Sequence, residues 1–221
     1  MTETLENLLD AALLHVPFDG WSETTFRAAV EDAGIDMTLA RGICPRGAVD
    51  LAVAYHKRGD AKMLARLEQA ELDDMRFRDR IAFAVRARLE AVEDRELVRR
   101  GMTLFALPQH GAEGAKLVWE TCDAIWTALG DESRDANWYT KRATLGAVYS
   151  STLLFWLGDD SPGHEETWEF LDRRIDGVMQ FEKVKAGLRK VPGLGKFMEG
   201  ATAMIRAPKG AADMPGSWGN K

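Results

Sequence analysis

Asp135, Asn137, Trp138, Tyr139, Lys141 and Arg142 place an acid, an amide, two aromatics and two bases within eight positions. Such a set can recognise a partner, because Trp, Tyr and Arg are the residues enriched at protein–protein hot spots. It contains no nucleophile paired with a base, so covalent catalysis is not read from it. The four histidines, His15, His56, His110 and His164, lie in separate segments, and no Glu-x-x-His pair is present to build a metal face. Cys44 and Cys122 are far apart, without a CxxC spacing, and read as two buried thiols of a reducing compartment. Asp159-Asp160 reads as a loop and Glu165-Glu166 as a solvated helix start, where acids suit the dipole. No catalytic constellation, metal or cofactor is expected, and the protein is read as no enzyme.

The elements that must position the 135–142 cluster are helices. Leu5, Leu8, Leu9, Ala12, Leu13 and Val16 follow the spacing of one buried helix face. Pro17 to Gly20 is expected to break that helix. Ser22 then reads as an N-cap, with Trp21 and Phe26 as its hydrophobic staple. The second helix is expected to end at Ala33-Gly34, a short third covers about Asp36 to Gly42, and a longer one begins near Gly47. One or two helices are predicted over 60–91, and others over 94–107, 111–129, 134–157 and 163–181. No window alternates with period two, so the chain is predicted to be all-α.

The first four helices have the layout of a helix-turn-helix unit. Electrostatics argue against a DNA-reading role. The candidate recognition helix opens with Asp36 and offers one arginine, Arg41, and residues 1–60 carry ten acids against five bases. The net charge of −6 argues the same way for the whole molecule, so no nucleic acid is expected as a partner.

Beyond the aromatic-basic mouth, the 134–157 helix has an apolar body of Leu145, Val148, Tyr149, Leu153, Phe155 and Trp156. These residues either fill a central core or wall a lipid cavity, and the pattern admits both. Trp138 stands seven residues before Leu145 and could continue its stripe, so core and surface both stay open for it. Tyr139 with Arg142 and Asp135 reads as one exposed aromatic-charged patch.

Residues 183–209 hold seven bases against one acid, with apolar positions Phe181, Val184, Leu188, Val191, Leu194, Phe197 and Met198 at spacings of three and four. That is a basic amphipathic stretch suited to a membrane surface or a partner, and Phe181, Lys185, Leu188, Lys190 and Phe197 are its expected contacts. The expected organisation is a helix-turn-helix-like portion over 1–58, a helical ligand-binding portion over 59–181, the basic helix over 182–207 and a disordered tail over 208–221. The N-terminus has neither a signal-peptide nor a transit-peptide character, and no apolar run reaches the roughly 20 residues that span a bilayer, so the protein is read as soluble or peripheral.

The run Asp135-x-Asn137-Trp138-Tyr139-Thr140-x-Arg142-Ala143, then Tyr149 and Thr152, then Asp160-Ser161-Pro162, then Thr167-Trp168-x-Phe170-Leu171-x-x-Arg174 resembles the ubiquinone-biosynthesis accessory family COQ9. Val16-Pro17, Gly20-Trp21 and Leu104 to Pro108 fit the same family. The resemblance implies a TetR-like helical fold without a DNA-binding role. It also implies a non-enzymatic, lipid-binding function and, without a transit peptide, a bacterial member, cytoplasmic and peripheral at the inner face of the cytoplasmic membrane. The implied partners are an isoprenoid lipid or quinone precursor, a ubiquinone-pathway hydroxylase and a membrane surface, with a homodimer left open. Asp135, Asn137, Trp138, Tyr139 and Arg142 would dock the hydroxylase, and Leu145, Val148, Tyr149, Leu153 and Trp156 would contact lipid. The alternative is a TetR-type ligand-responsive transcriptional regulator.

Overall fold

The computed structural model describes residues 2–189, with side chains through Gln180. Its helices are α1 (Glu3–Leu13), α2 (Val16–Asp19), α3 (Glu23–Asp32), α4 (Met37–Ile43), α5 (Ala48–Glu68), α6 (Phe77–Glu90), α7 (Arg95–Phe105), α8 (Gly111–Ala128), α9 (Ala136–Leu157) and α10 (Glu165–Arg189). No strand occurs among the described residues. Short 3₁₀ turns at Leu72–Asp74 and Pro162–His164 complete the connections.

Side-chain caps set the starts of α3, α4, α7 and α9. The Ser22 hydroxyl accepts from the Thr25 amide at 3.2 Å, and both staple residues, Trp21 and Phe26, are buried. Asp36 accepts from the amides of Thr38 and Leu39 and starts α4. The expected break at Pro17–Gly20 is a correction: the segment is the one-turn helix α2. Pro17 sits in its first turn, where proline's missing N–H and fixed φ are tolerated. Gly20, at φ +67°, then turns the chain into α3.

The described chain forms two compact units. One takes residues up to Arg66 plus Ala87–Leu117, and the other takes Leu67–Arg86 plus residues from Val118 onward. The boundary expected at 58/59 falls inside α5, because an unbroken helical pattern runs through it.

In the first unit, α1 packs on α3 and α2 on α7. Leu8, Leu9, Ala12, Val16, Phe26, Ala29 and Leu51 form the core. Truncating a fully buried phenylalanine such as Phe26 to alanine costs about 3–5 kcal/mol. The Trp21 indole donates to the Leu97 carbonyl at 3.2 Å, tying α7 to the start of α3. Arg88 is 5% exposed and donates to Asp60 at 2.6 Å and to the His56 carbonyl at 3.1 Å.

In the second unit, α9 and α10 form a hairpin. Asp159 holds its turn, accepting from the Ser161 amide at 2.8 Å and from the Thr167 amide and hydroxyl at 3.0 and 2.5 Å. Asp159 lies in the loop, as expected, but it is buried at 4% exposure and caps α10. Burial works against its ionisation, yet the hydrogen bonds from Ser161 and Thr167 prevail and hold its carboxyl well below the usual range.

Candidate ligand cavity and docking surface

The start of α9 is set by Asp135, whose carboxylate accepts from the Asn137 backbone amide at 3.0 Å and from its side-chain amide at 2.9 Å. Two turns on, Arg142 is 2% exposed. Its expected place on an exposed patch is therefore corrected. Nε donates to Asp123 at 2.6 Å, and Nη1 donates to Asp131 at 2.9 Å and to the Trp138 carbonyl at 3.2 Å. The partners lie on α8 and on the α8–α9 connection, so the arginine is drawn inward.

Asp131, 3% exposed, is the hub of this connection. It also receives Lys141 at 2.5 Å and the Ser133 hydroxyl at 2.7 Å. Burial raises its carboxyl's pKa, but the hydrogen bonds from Lys141, Ser133 and Arg142 outweigh that and keep it far below the ordinary value.

Trp138 and Tyr139 are both half-buried. The Trp138 ring lies under the Arg142 guanidinium, contacts Trp119 of α8 at 5.7 Å, and meets Tyr139 edge-on at 4.8 Å. Of the five residues expected to dock a partner, the structure leaves Asp135 and Asn137 exposed and the two aromatics partly so.

A cavity of about 530 Å³ opens among α6, α8, α9 and α10. Phe77 and Ile81 from α6, Trp126 from α8, Leu145 and Val148 from α9, and Ile175, Val178 and Met179 from α10 supply its apolar walls. Its polar lining comes from Arg78, Asn137, Thr140, Lys141 and Thr144. Phe77 and Met179 remain 49% and 38% exposed, so apolar surface reaches solvent on its wall.

Leu145 and Val148 line this cavity as expected lipid contacts would. Tyr149, Leu153 and Trp156 do not. Tyr149 and Leu153 are turned roughly 40° and 80° from Leu145 about the helix axis, and Trp156 lies about 16 Å further along it. The Trp156 ring faces His164 at the hairpin turn, 5.9 Å away. The wall residues of α6 and α10 were not singled out from sequence, although Phe77/Ile81 and Ile175/Val178/Met179 show i, i+3 and i+4 spacing.

Of the expected membrane contacts, Phe181, Lys185 and Leu188 fall on the described backbone of α10, which runs past position 181 to Arg189 without a break. Lys190, Phe197 and the 208–221 tail lie outside the described residues. No described helix is long and apolar enough to cross a membrane.

Residues 111–182, which hold α8, α9, most of α10 and most of the cavity wall, match the family model COQ9. The "Ubiquinone biosynthesis protein COQ9, mitochondrial" of Drosophila melanogaster is 35% identical over 182 residues, covering 79% of this chain and 55% of the fly protein. The human protein of the same name is 29% identical over 183 residues, covering 78% and 56%. COQ9-B of Xenopus laevis is 31% identical over 183 residues, covering 79% and 62%. The chain thus spans little more than half the length of these relatives. The crystal structure of a TetR transcriptional regulator from Nitrosomonas europaea ATCC 19718 superposes with a TM-score of 0.67. That match covers 81% of this chain and 99% of the other at 19% identity, so the fold is TetR-like. The Asn137-Trp138-Tyr139 segment and most of the cavity wall lie inside the matched region, so residues 111–182 form a COQ9 family domain.

Proposed function

We propose that this protein is a non-enzymatic accessory of ubiquinone biosynthesis that holds an isoprenoid lipid or quinone precursor in the α6/α8/α9/α10 cavity. It would present that lipid to a ring hydroxylase at a membrane surface. The observation that carries this reading is the cavity itself, because such a volume with apolar walls falls within the range of small-molecule sites. A cavity of roughly 150 Å³ holds one benzene. By that measure 530 Å³ has room for about 20 carbon atoms. A ring with two or three isoprene units fits, and a longer chain would extend past the mouth.

Two further features support the reading. Asn137 belongs both to the cavity wall and to the exposed start of α9, so a docked hydroxylase would sit beside the bound lipid. Val178 and Met179 lie on α10, whose described backbone runs on to Arg189 into the first part of the basic stretch, which would bring the mouth close to a membrane. The regulator alternative has no comparable support, since Asp36 caps α4 and Arg41 is engaged by Glu23.

Native mass spectrometry of the purified full chain tests the proposal. Co-purified isoprenoid or quinone lipid is expected. A lipid-free protein that takes up none would overturn it, and tight, salt-resistant binding to its own upstream DNA would favour the regulator.

A further inference from the structure

Lys141 belongs to two sites at once. It lines the cavity, and its ammonium donates to Asp131 at 2.5 Å and to the Ser133 hydroxyl at 2.7 Å. Asp131 also receives Nη1 of Arg142 at 2.9 Å, and that guanidinium lies 4.2 Å from the centre of the Trp138 ring. Trp126 completes the connection on the cavity side. Its indole donates to the Lys141 carbonyl at 3.1 Å, and its ring stands 5.1 Å from the Lys141 ammonium and 5.6 Å from the ring of Phe77. An unbroken set of contacts within the second unit thus joins the cavity wall to the Trp138–Tyr139 face.

The two ends of this network differ in their access to water. Asp131 and Arg142 are buried, whereas the Lys141 side chain is 36% exposed. Attraction between fixed charges grows as the surrounding dielectric falls. Apolar material entering the cavity would displace water beside Lys141 and Trp126, and so strengthen both the Lys141–Asp131 pair and the cation–π contact. Drying an ammonium has its own cost, but two of the three donors on Nζ are already engaged, which limits it. Resting on the lipid-carrier reading above, we propose that filling the cavity orders the α8–α9 connection through Lys141 and stiffens the Trp138–Tyr139 face. A partner protein then docks more tightly on the loaded carrier than on the empty one. The loaded protein has less ordering left to undergo on docking. The coupling is reciprocal, so a docked partner also retains the lipid.

Hydrogen–deuterium exchange of the lipid-stripped full chain, read on peptides covering 130–135, tests this with farnesol as the probe. None of those residues lines the cavity, so direct contact with the probe does not account for a response there. Each protein is first brought to saturation by calorimetric titration, which removes differences in affinity. Saturated wild type is expected to exchange about five-fold more slowly than the empty form, the lower end of ordinary coupling between sites. Lys141→Met keeps an apolar stem without the charge, and it is expected to bind farnesol and show no slowing, with its melting temperature confirming a folded chain. Unchanged exchange in saturated wild type overturns the proposal while leaving a lipid site standing. Equal slowing in Lys141→Met overturns it as well. Failure of the wild type to bind farnesol overturns the carrier reading itself. Should Lys141→Met not fold, Lys141→Gln, which offers Asp131 a neutral donor, takes its place with the same expectation.

Discussion

The guanidinium of Arg142 lies 4.2 Å from the centre of the Trp138 ring while its nitrogens bind Asp123 and Asp131. The most basic-looking residue of the aromatic patch is thus the pin that holds the patch together. It fixes the α8–α9 connection through Asp131 and presents Trp138, with Tyr139 against it, at the protein surface. A cation stacked on an indole and desolvated in this way contributes about 2 kcal/mol, and the ion pair beneath depends on it being in place.

Arg142→Ala is therefore expected to destabilise the fold by about 3–5 kcal/mol, because Asp131 would be left buried and short of a partner. Tyr139→Ala should cost only about 1 kcal/mol, the value of lost aromatic contacts with Trp119 and Trp138. Denaturant unfolding of the two variants measures the contrast. Equal losses would mean that Arg142 is no anchor. Hydroxylase capture should accordingly be tested with Tyr139 variants, where lost binding is not lost folding.

How far the patch and cavity could be read from sequence follows from the distances involved. The helix over about 134–157, the aromatic pair and the apolar stripe through Leu145 and Val148 are local patterns within one helix, and they are present as read. The inward turn of Arg142 depends on Asp123 and Asp131, 19 and 11 residues earlier. Nothing in the spacing says which of many acids an arginine will choose. The cavity was hidden for another reason. Ile81, Ile175 and Val178 carry the same apolar spacing whether their helices close tightly or leave a gap. A periodic pattern reports which face is apolar, not how completely it is filled.

Gly59 of α5 illustrates a constraint of this kind in the first unit. A Cβ at this position would stand 2.6–2.9 Å from the Arg88 guanidinium, which is pinned to Asp60. Gly59→Ala gains about 1 kcal/mol of helix propensity. Displacing Arg88 from its buried pair costs about 3 kcal/mol or more, so the steric effect wins. The variant should be less stable by roughly 2 kcal/mol, by those two figures. Thermal or denaturant unfolding that finds it more stable would show that Arg88 can move aside cheaply.

Acid sensitivity should have two separate windows. Burial, with the nearby Arg88 cation and a smaller push from Lys57, depresses the His56 imidazole to about 4, against the opposing pull of Asp60. Between about pH 6.5 and 4 the unfolded chain takes up a proton that the folded chain refuses. Stability is then full above pH 6.5 and falls by roughly 3 kcal/mol as the pH drops to 4. His56→Gln should flatten that slope in denaturation curves taken across the range. The depressed carboxyls of Asp131 and Asp159 act only below about pH 4, where protonation removes their stabilisation. A slope unchanged in His56→Gln would assign the upper window to another group.

The cavity can be tested by filling it. Thr144 lines the wall from α9 and is half-buried, so Thr144→Trp can project its ring into the 530 Å³ space without displacing a core side chain. Excluding as little as ~55 Å² of ligand apolar surface costs about 1.4 kcal/mol, which is a ten-fold loss of affinity. The variant should therefore retain at least about ten-fold less co-purifying lipid, measured by mass spectrometry of solvent extracts. Its melting temperature should stay at or above that of the wild type, because the new ring gains burial. Leu154, on the same helix but 60% exposed and away from the cavity, supplies the control: Leu154→Trp should leave the lipid content unchanged. Undiminished lipid in Thr144→Trp would place the ligand somewhere other than this cavity, while losses in both variants would point to a nonspecific effect of α9 substitution.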